Sequence, residues 1–345
     1  MTQPLLNAIQ GKKQERYPLW FLRQAGRYLP EYQNLRKNRS FLELCSNSSL
    51  AAEVTLQPMK RFDLDAAIVF ADILLPLIPL GQTLSFKKDH GPLLEPSIRN
   101  KDDFKRIKRN PDIKSLSYVG ETISMVRSAL DSSKSVIGFA GAPFTVACYM
   151  IEGQGSKNFH HCKNLAFSDP ETFHGVMSLL TETTLKYLTM QAEAGCDLLM
   201  LFDSWAGALA PQDYKTYILP HMKELGLELK KLHKPVIYYP GSNPSHAQTI
   251  DSKLCDVLHL DWRIEASDFI HKRRKEAPSC LQGNLDPQAL FLPEDKLRAR
   301  TKELLDQFNQ DNSISHIFNI GHGLIPQTPI KSLEIVIDEV RSYKK

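Results

Sequence analysis

Short apolar runs recur along the chain, and the longer stretches between them return an apolar side chain every third or fourth position. A buried strand reads as one such run and a surface helix as one such stripe, so the alternation predicts βα units around a parallel sheet. Eight runs read as strands: residues 19–22, 66–70, 136–140, 197–202, 236–239, 257–260, 280–283 and 316–320. Residues 171–194 predict a long helix, with Asp169 as N-cap, Pro170 in the first turn and Gly195 closing the end. The rhythm favours an α/β fold of the (β/α)8 TIM-barrel type. A doubly wound open sheet leaves the same periodicity, which does not count neighbours across a sheet. No Ser/Gly linker, low-complexity tract or short repeat divides the chain, which predicts a single domain spanning 1–345.

Composition excludes more than it assigns. With 42% hydrophobic and 24% charged residues the chain fits neither a disordered nor a disulfide-scaffold class. A net charge of +4 tolerates an acidic ligand without requiring nucleic acid. The charged stretches 101–114 and 272–275 lack the repeated aromatics on which bases stack, so they read as solvated surface. Cys45, Cys148, Cys162, Cys196, Cys255 and Cys280 form no CxxC pair, which argues against a zinc ribbon or a thioredoxin-like centre. The short apolar start, residues 4–9, runs into Lys12 and Lys13 instead of a cleavage site, and with these cysteines it predicts a reducing, cytoplasmic setting. The most apolar stretch, 66–80, is too short for a membrane span and is broken by Asp72, Pro76 and Pro79.

Candidate chemistry concentrates where the predicted strands end. Arg23-Gln24-Ala25-Gly26-Arg27 follows the first run. Two guanidinium forks around small residues suit carboxylate recognition, and two surface arginines in a tight turn fit the same residues. Asp72 places a carboxylate in nearly unbroken apolar sequence, where it needs a partner or a task, or else caps a following helix. Residues 138–153 read as a strand, a close-approach loop and a helix with Tyr149 on its first turns; the phenol either satisfies itself in the core or donates to an anion. Ser204 has no GxSxG elbow around it, so it is a ligand contact or a cap instead of a nucleophile. Asp286 before Pro287 reads as a helix start. His322, between Gly321 and Gly323, has little local packing to explain it and suits a carboxylate contact.

Residues 18–27 and 138–153 resemble the two signatures of the uroporphyrinogen decarboxylase family, and the likeness continues through 202–207, 283–287 and 321–326. It runs from Leu5 to the C-terminal helix. Leu22 stands where the family usually carries methionine, an exchange of similar volume. The resemblance implies a (β/α)8 barrel, a homodimer, and cofactor-free conversion of uroporphyrinogen III to coproporphyrinogen III by loss of four acetate carboxyls. Carried over by position, it implies that Arg23, Gln24, Ala25, Gly26 and Arg27 hold substrate carboxylates and that Asp72 faces the pyrrole nitrogens. Tyr149, Ser204 and His322 complete the shell; Asp72, Arg23 and Tyr149 form the catalytic set, and no metal is implied.

Losing carbon dioxide leaves an electron pair that needs a sink, and the chain shows no signature of pyridoxal phosphate, thiamine or a Schiff-base lysine. A pyrrole protonated on carbon supplies the sink itself, and the resulting cation calls for a fixed anion such as Asp72. Arg23 keeps its proton to above pH ~12, so its role divides between binding and proton transfer. Two rivals stand against this reading. A zinc- and corrinoid-dependent methyltransferase on the same barrel needs clustered histidine and cysteine, yet His259 and His322 have no cysteine nearby in sequence. A tetrapyrrole-binding protein without catalysis has no need of the full set Arg23, Arg27, Asp72, Tyr149 and His322.

Overall fold

The computed structural model describes residues 3–87 and 91–344. Its strands, in chain order, are β1 (Ala66–Ile68), β2 (Thr83–Lys87), β3 (Gly91–Glu95), β4 (Ser135–Gly141), β5 (Leu198–Phe202), β6 (Val236–Tyr239), β7 (Val257–His259), β8 (Cys280–Leu285) and β9 (Ser315–Ile320). Seven of them form one sheet in the order β1-β4-β5-β6-β7-β8-β9, every neighbouring pair parallel. Strands β2 and β3 pair separately as an antiparallel hairpin that the apolar pattern does not announce.

The first predicted strand, 19–22, is not a strand. Only Leu19 keeps sheet geometry, in a parallel bridge to Phe318 of β9. The Phe318 amide donates to Pro18 O at 2.8 Å and the Asp65 amide donates to Leu19 O at 2.8 Å, so this one-residue stave closes the sheet into a barrel between β9 and β1. Side-chain acceptors replace the rest of the ladder: the Leu19 amide donates to Asp65 Oδ2 at 2.8 Å and the Leu22 amide to Asn319 Oδ1 at 2.9 Å. Pro18 has no N–H to offer.

Asp65 sits at the foot of the barrel with no exposed surface. Arg341 reaches it at 2.9 Å, Arg16 at 3.3 Å and Lys134 at 3.8 Å. With these partners the buried carboxylate ties the C-terminal helix, Ile330–Ser342, to the barrel seam.

The long predicted helix spans Pro170–Glu193; Asp169 caps it by accepting from the Thr172 amide at 3.1 Å, and Gly195 follows with φ +104°. It docks on β4 through the Gln191 amide, which donates to Phe139 O at 2.9 Å and accepts from Phe139 N at 2.8 Å. A Cβ at residue 138 would come within 2.6 Å of Gln191 Oε1, so Gly138 in this strand lets the helix pack closely. Asp286 caps the 3₁₀ turn Pro287–Phe291, as its place before proline predicts. All six cysteines are buried, and no disulfide forms among the described residues. Among the described residues no helix is long and apolar enough to cross a membrane.

Candidate active site

The polar residues flagged in the sequence gather at the carboxyl ends of the barrel staves, where the backbone leaves the sheet and side chains are released from the packed interior. Arg23 to Arg27 follow the Leu19 stave, Asp72 follows β1, Tyr149 rides the helix Pro143–Glu152 after β4, Ser204 follows β5, and His322 follows β9.

Arg23 takes φ +60°, a left-handed conformation that an arginine adopts only where its surroundings compel it. Gln24 supplies that constraint. Its side chain accepts from the Phe21 amide at 3.2 Å and donates to Ala66 O at 3.0 Å, while its own amide donates back to Phe21 O at 3.1 Å. Gln24 has no exposed surface. Its side chain fastens the turn that carries Arg23. Ala25 and Gly26 are half-buried beside it, and Arg27 is exposed. Arg23 opens to solvent on one side, but protein crowds the rest. That desolvation lowers its pKa from the ordinary value, with repulsion from Arg27 adding and attraction to Tyr149, Asp72 and Tyr239 opposing.

Asp72 is half-buried and makes no ion pair among the described residues, in contrast to Asp65. Its Oδ1 accepts from the Leu74 amide at 2.8 Å in the turn before the 3₁₀ segment Leu75–Leu77, whose N-cap position is Leu74 and not Asp72. One amide and a nearby Arg23 do not offset the lost hydration, and the carboxyl is pushed up to about 6.

Tyr149 is half-buried, and burial raises its pKa, so the phenol stays protonated at neutral pH. Its ring lies 6.1 Å from that of Trp205, whose buried Nε1 finds no acceptor of good geometry. Sequence reasoning passed over Asp203, the residue that positions this helix. Asp203 is fully buried, accepts from the Thr145 amide and hydroxyl at 3.2 and 2.9 Å, and takes the Tyr238 hydroxyl at 2.9 Å. Burial pushes its carboxyl up to about 6 against those hydrogen bonds. Ser204 is half-buried between Asp203 and Trp205.

The glycines around His322 have a steric cause. A Cβ at residue 321 would lie 2.2 Å from Trp262 N, and one at residue 323 would lie 2.3 Å from Arg23 Cδ. The two bare positions let Trp262 pack against Gly321 and the Arg23 side chain against Gly323, next to His322 in the chain. Burial, with repulsion from Arg23 and Arg263, lowers the His322 pKa against the pull of Asp261, so the imidazole is neutral at neutral pH. Beneath it, Trp20 Nε1 donates to Gln282 Oε1 at 2.8 Å, which leaves Gln282 Nε2 to donate to His259 Nδ1 at 2.8 Å and places the His259 proton on Nε2. Burial pushes His259 down to about 3.

A second group missed in the sequence is Tyr239, Asp261 and Arg263. The Tyr239 hydroxyl donates to Asp261 Oδ2 at 2.7 Å, and Arg263 Nη1 donates to both Asp261 oxygens at 2.9 and 3.1 Å. Asp261 directly follows the predicted run 257–260, the same polar-after-strand signal that picked out Asp72.

Electrostatic coupling thus joins Arg23 with Arg27, Asp72, Tyr149 and Tyr239, and joins His322 with Arg23. Two surface depressions, of about 700 Å³ beside the β2–β3 hairpin and about 570 Å³ beside Lys302 and Asp306, lie away from this cluster. Among the described residues, the three metal-type donors that approach one another within 4.8 Å are Glu152, His160 and His161, and neither His259 nor His322 is among them.

Residues 1–343 match the family model described as uroporphyrinogen decarboxylase (URO-D). Uroporphyrinogen decarboxylase from Myxococcus xanthus is 41% identical over 99% of this chain and 97% of its own length. The protein of that name from Carboxydothermus hydrogenoformans is 39% identical over 99% and 96%. Among solved structures, a methyltransferase from Methanosarcina mazei superposes with a TM-score of 0.77 over 98% of this chain and 97% of that one; at 17% identity this is a likeness of fold. Over essentially its whole length, the chain belongs to the uroporphyrinogen decarboxylase family.

Proposed function

We propose that this protein decarboxylates the four acetate arms of uroporphyrinogen III to methyl groups, giving coproporphyrinogen III, with the pyrrole ring of the substrate as electron sink. The observation that carries the mechanism is Asp72: a carboxylate at the barrel mouth, desolvated enough to be pushed up to about 6, with a single amide partner and Arg23 close by. At neutral pH it is ionised. A proton added to a pyrrole α-carbon makes the ring a cation, the C–CO₂ bond then breaks with its electron pair moving into the ring, the resulting exocyclic methylene takes a proton to become methyl, and the α-carbon gives up its added proton to restore the neutral pyrrole. Asp72 stabilises that cation from a fixed position, through the pyrrole N–H groups, where little water competes.

Arg23 and Arg27 hold acid arms of the substrate, and the strained turn keeps Arg23 aimed without reorganisation. Tyr149, as a protonated phenol, and His322, as a neutral imidazole, offer hydrogen bonds without adding charge that would oppose the ring cation. Ser204 completes the wall after β5. Gln24, Asp203 and Gln282 hold these groups in place. Homodimerisation, implied by the family, belongs to this proposal and is tested by sedimentation.

The decisive experiment incubates the protein with uroporphyrinogen under anaerobic conditions, without added cofactor, and follows carboxyl loss chromatographically, with Asp72→Asn in parallel. The expected result is the four-carboxyl product from the wild type and its near absence from the variant. A requirement for added metal or coenzyme sinks the mechanism.

A further inference from the structure

The turn after β7 carries an arginine that the reaction above has not used. Asp261, with no exposed surface, anchors Arg263 three ways: both carboxylate oxygens accept from Nη1 at 2.9 and 3.1 Å, and Oδ1 accepts from the Arg263 amide at 3.0 Å. The Arg263 guanidinium also lies over the Trp262 ring, with Cζ 4.4 Å from its centroid. Even so, the side chain keeps 49% of its surface exposed, and Nη2 and Nε have no protein acceptor among the described residues. An arginine held by one corner with the rest of its fork open is preorganised for an outside anion, because its rotamer freedom is already lost.

Its position fits the same conclusion. Trp262, the residue before Arg263, packs against Gly321, and the Arg23 side chain packs against Gly323, so the two arginines belong to segments that meet the chain on either side of His322. Both cations act on His322, and both act on Tyr239. A tetrapyrrole with acid arms around its whole rim needs cationic grips on more than one side of the mouth, and Arg23 and Arg27 lie on a single turn.

We propose that Arg263 is a further substrate-binding residue that grips a carboxylate arm of the tetrapyrrole, with Asp261 and Tyr239 as positioning residues that hold its fork at the mouth. The inference rests on the tetrapyrrole reading of the site. Arg263 is the ion-pair partner of the fully buried Asp261, so its replacement also lowers stability, and binding is read at a temperature where every variant is folded.

The test compares Arg263→Gln with Arg300→Gln, which removes the same charge from an exposed helix position paired with Glu303. Steady-state kinetics with uroporphyrinogen and fluorescence titration with its stable oxidised analogue, uroporphyrin, are measured together with thermal midpoints. Loss of one charge-assisted grip raises KM and the uroporphyrin Kd about 10- to 100-fold, with kcat changed a few-fold at most and the lowered midpoint still above the assay temperature. Arg300→Gln leaves both unchanged, and Tyr239→Phe raises KM by a smaller factor at constant kcat. Equal KM and Kd for the two arginine variants overturn the inference, as does a loss confined to the midpoint. A wild type that binds uroporphyrin without turning over uroporphyrinogen fails the catalytic reading alone, and the Kd comparison still judges Arg263; a wild type that binds neither overturns both.

Discussion

Asp65 and Asp72 stand at opposite ends of β1, and the barrel treats them in opposite ways. At the foot, Asp65 is fully buried among Arg341, Arg16 and Lys134 and accepts the amide that closes the sheet. At the mouth, Asp72 has one amide and a displaced arginine, and its carboxyl is pushed up to about 6. The foot satisfies its charge completely, and that charge secures the fold. The mouth leaves its charge short of partners, which under the proposed reaction leaves it free to stabilise the cation formed on the ring. Raising a carboxyl from 3.8 to about 6 opposes folding at neutral pH by roughly 1–2 kcal/mol once partial exposure is discounted, a modest sacrifice of stability for function.

The contrast breaks most sharply at the foot. Asp65→Ala leaves Arg341, which is 13% exposed, with Asp63 as its one carboxylate partner among the described residues and frees the Leu19 amide; unfolding free energy is expected to drop by about 2–4 kcal/mol, read from denaturant midpoints. Tolerance of that change means the seam is held elsewhere. At the mouth the effect is on rate: Asp72→Asn is expected to lower kcat about 10²- to 10³-fold while its thermal midpoint at pH 7 equals or exceeds the wild type. A midpoint falling together with the activity would make Asp72 a second structural carboxylate.

The pH dependence separates the two properties of Asp72. Catalysis needs the anion, so kcat/KM is expected to fall about tenfold per unit below pH about 6. Stability from this group runs the other way. Its folded pKa lies above the unfolded 3.8, so the folded state takes up the proton first, and the penalty present at neutral pH is relieved as pH drops through about 6 towards 3.8. Asp72→Asn removes both trends; an unchanged acid limb in that variant assigns the limb to another group. The smallest effect is predicted between the two regions. Gln24→Ala leaves the Phe21 amide and Ala66 carbonyl without their side-chain partner, at a cost of about 1–3 kcal/mol, and KM rises through the loosened Arg23 turn. A change in kcat alone would contradict a positioning role for Gln24.

The sequence by itself determined the barrel rhythm, because each strand must present a short apolar run to a closed interior and each helix one apolar stripe. Seven of the eight predicted strands follow from that requirement, and the helix Pro170–Glu193 follows from its cap, proline and glycine. Residue chemistry at the strand ends singled out Arg23, Asp72, Tyr149, Ser204 and His322 for the same reason. What only the tertiary structure decided are properties set by neighbours distant in sequence. The Leu19 stave is reduced to one bridge because Asp65 and Asn319 take its amides. Gln24 faces inward because Ala66 O and Phe21 N await it, and Asp261 matters because Tyr239 and Arg263 converge on it. Local patterning shows which side chains must be buried or are able to carry charge; which charge goes unpaired depends on long-range packing, and that is where Asp65 and Asp72 part.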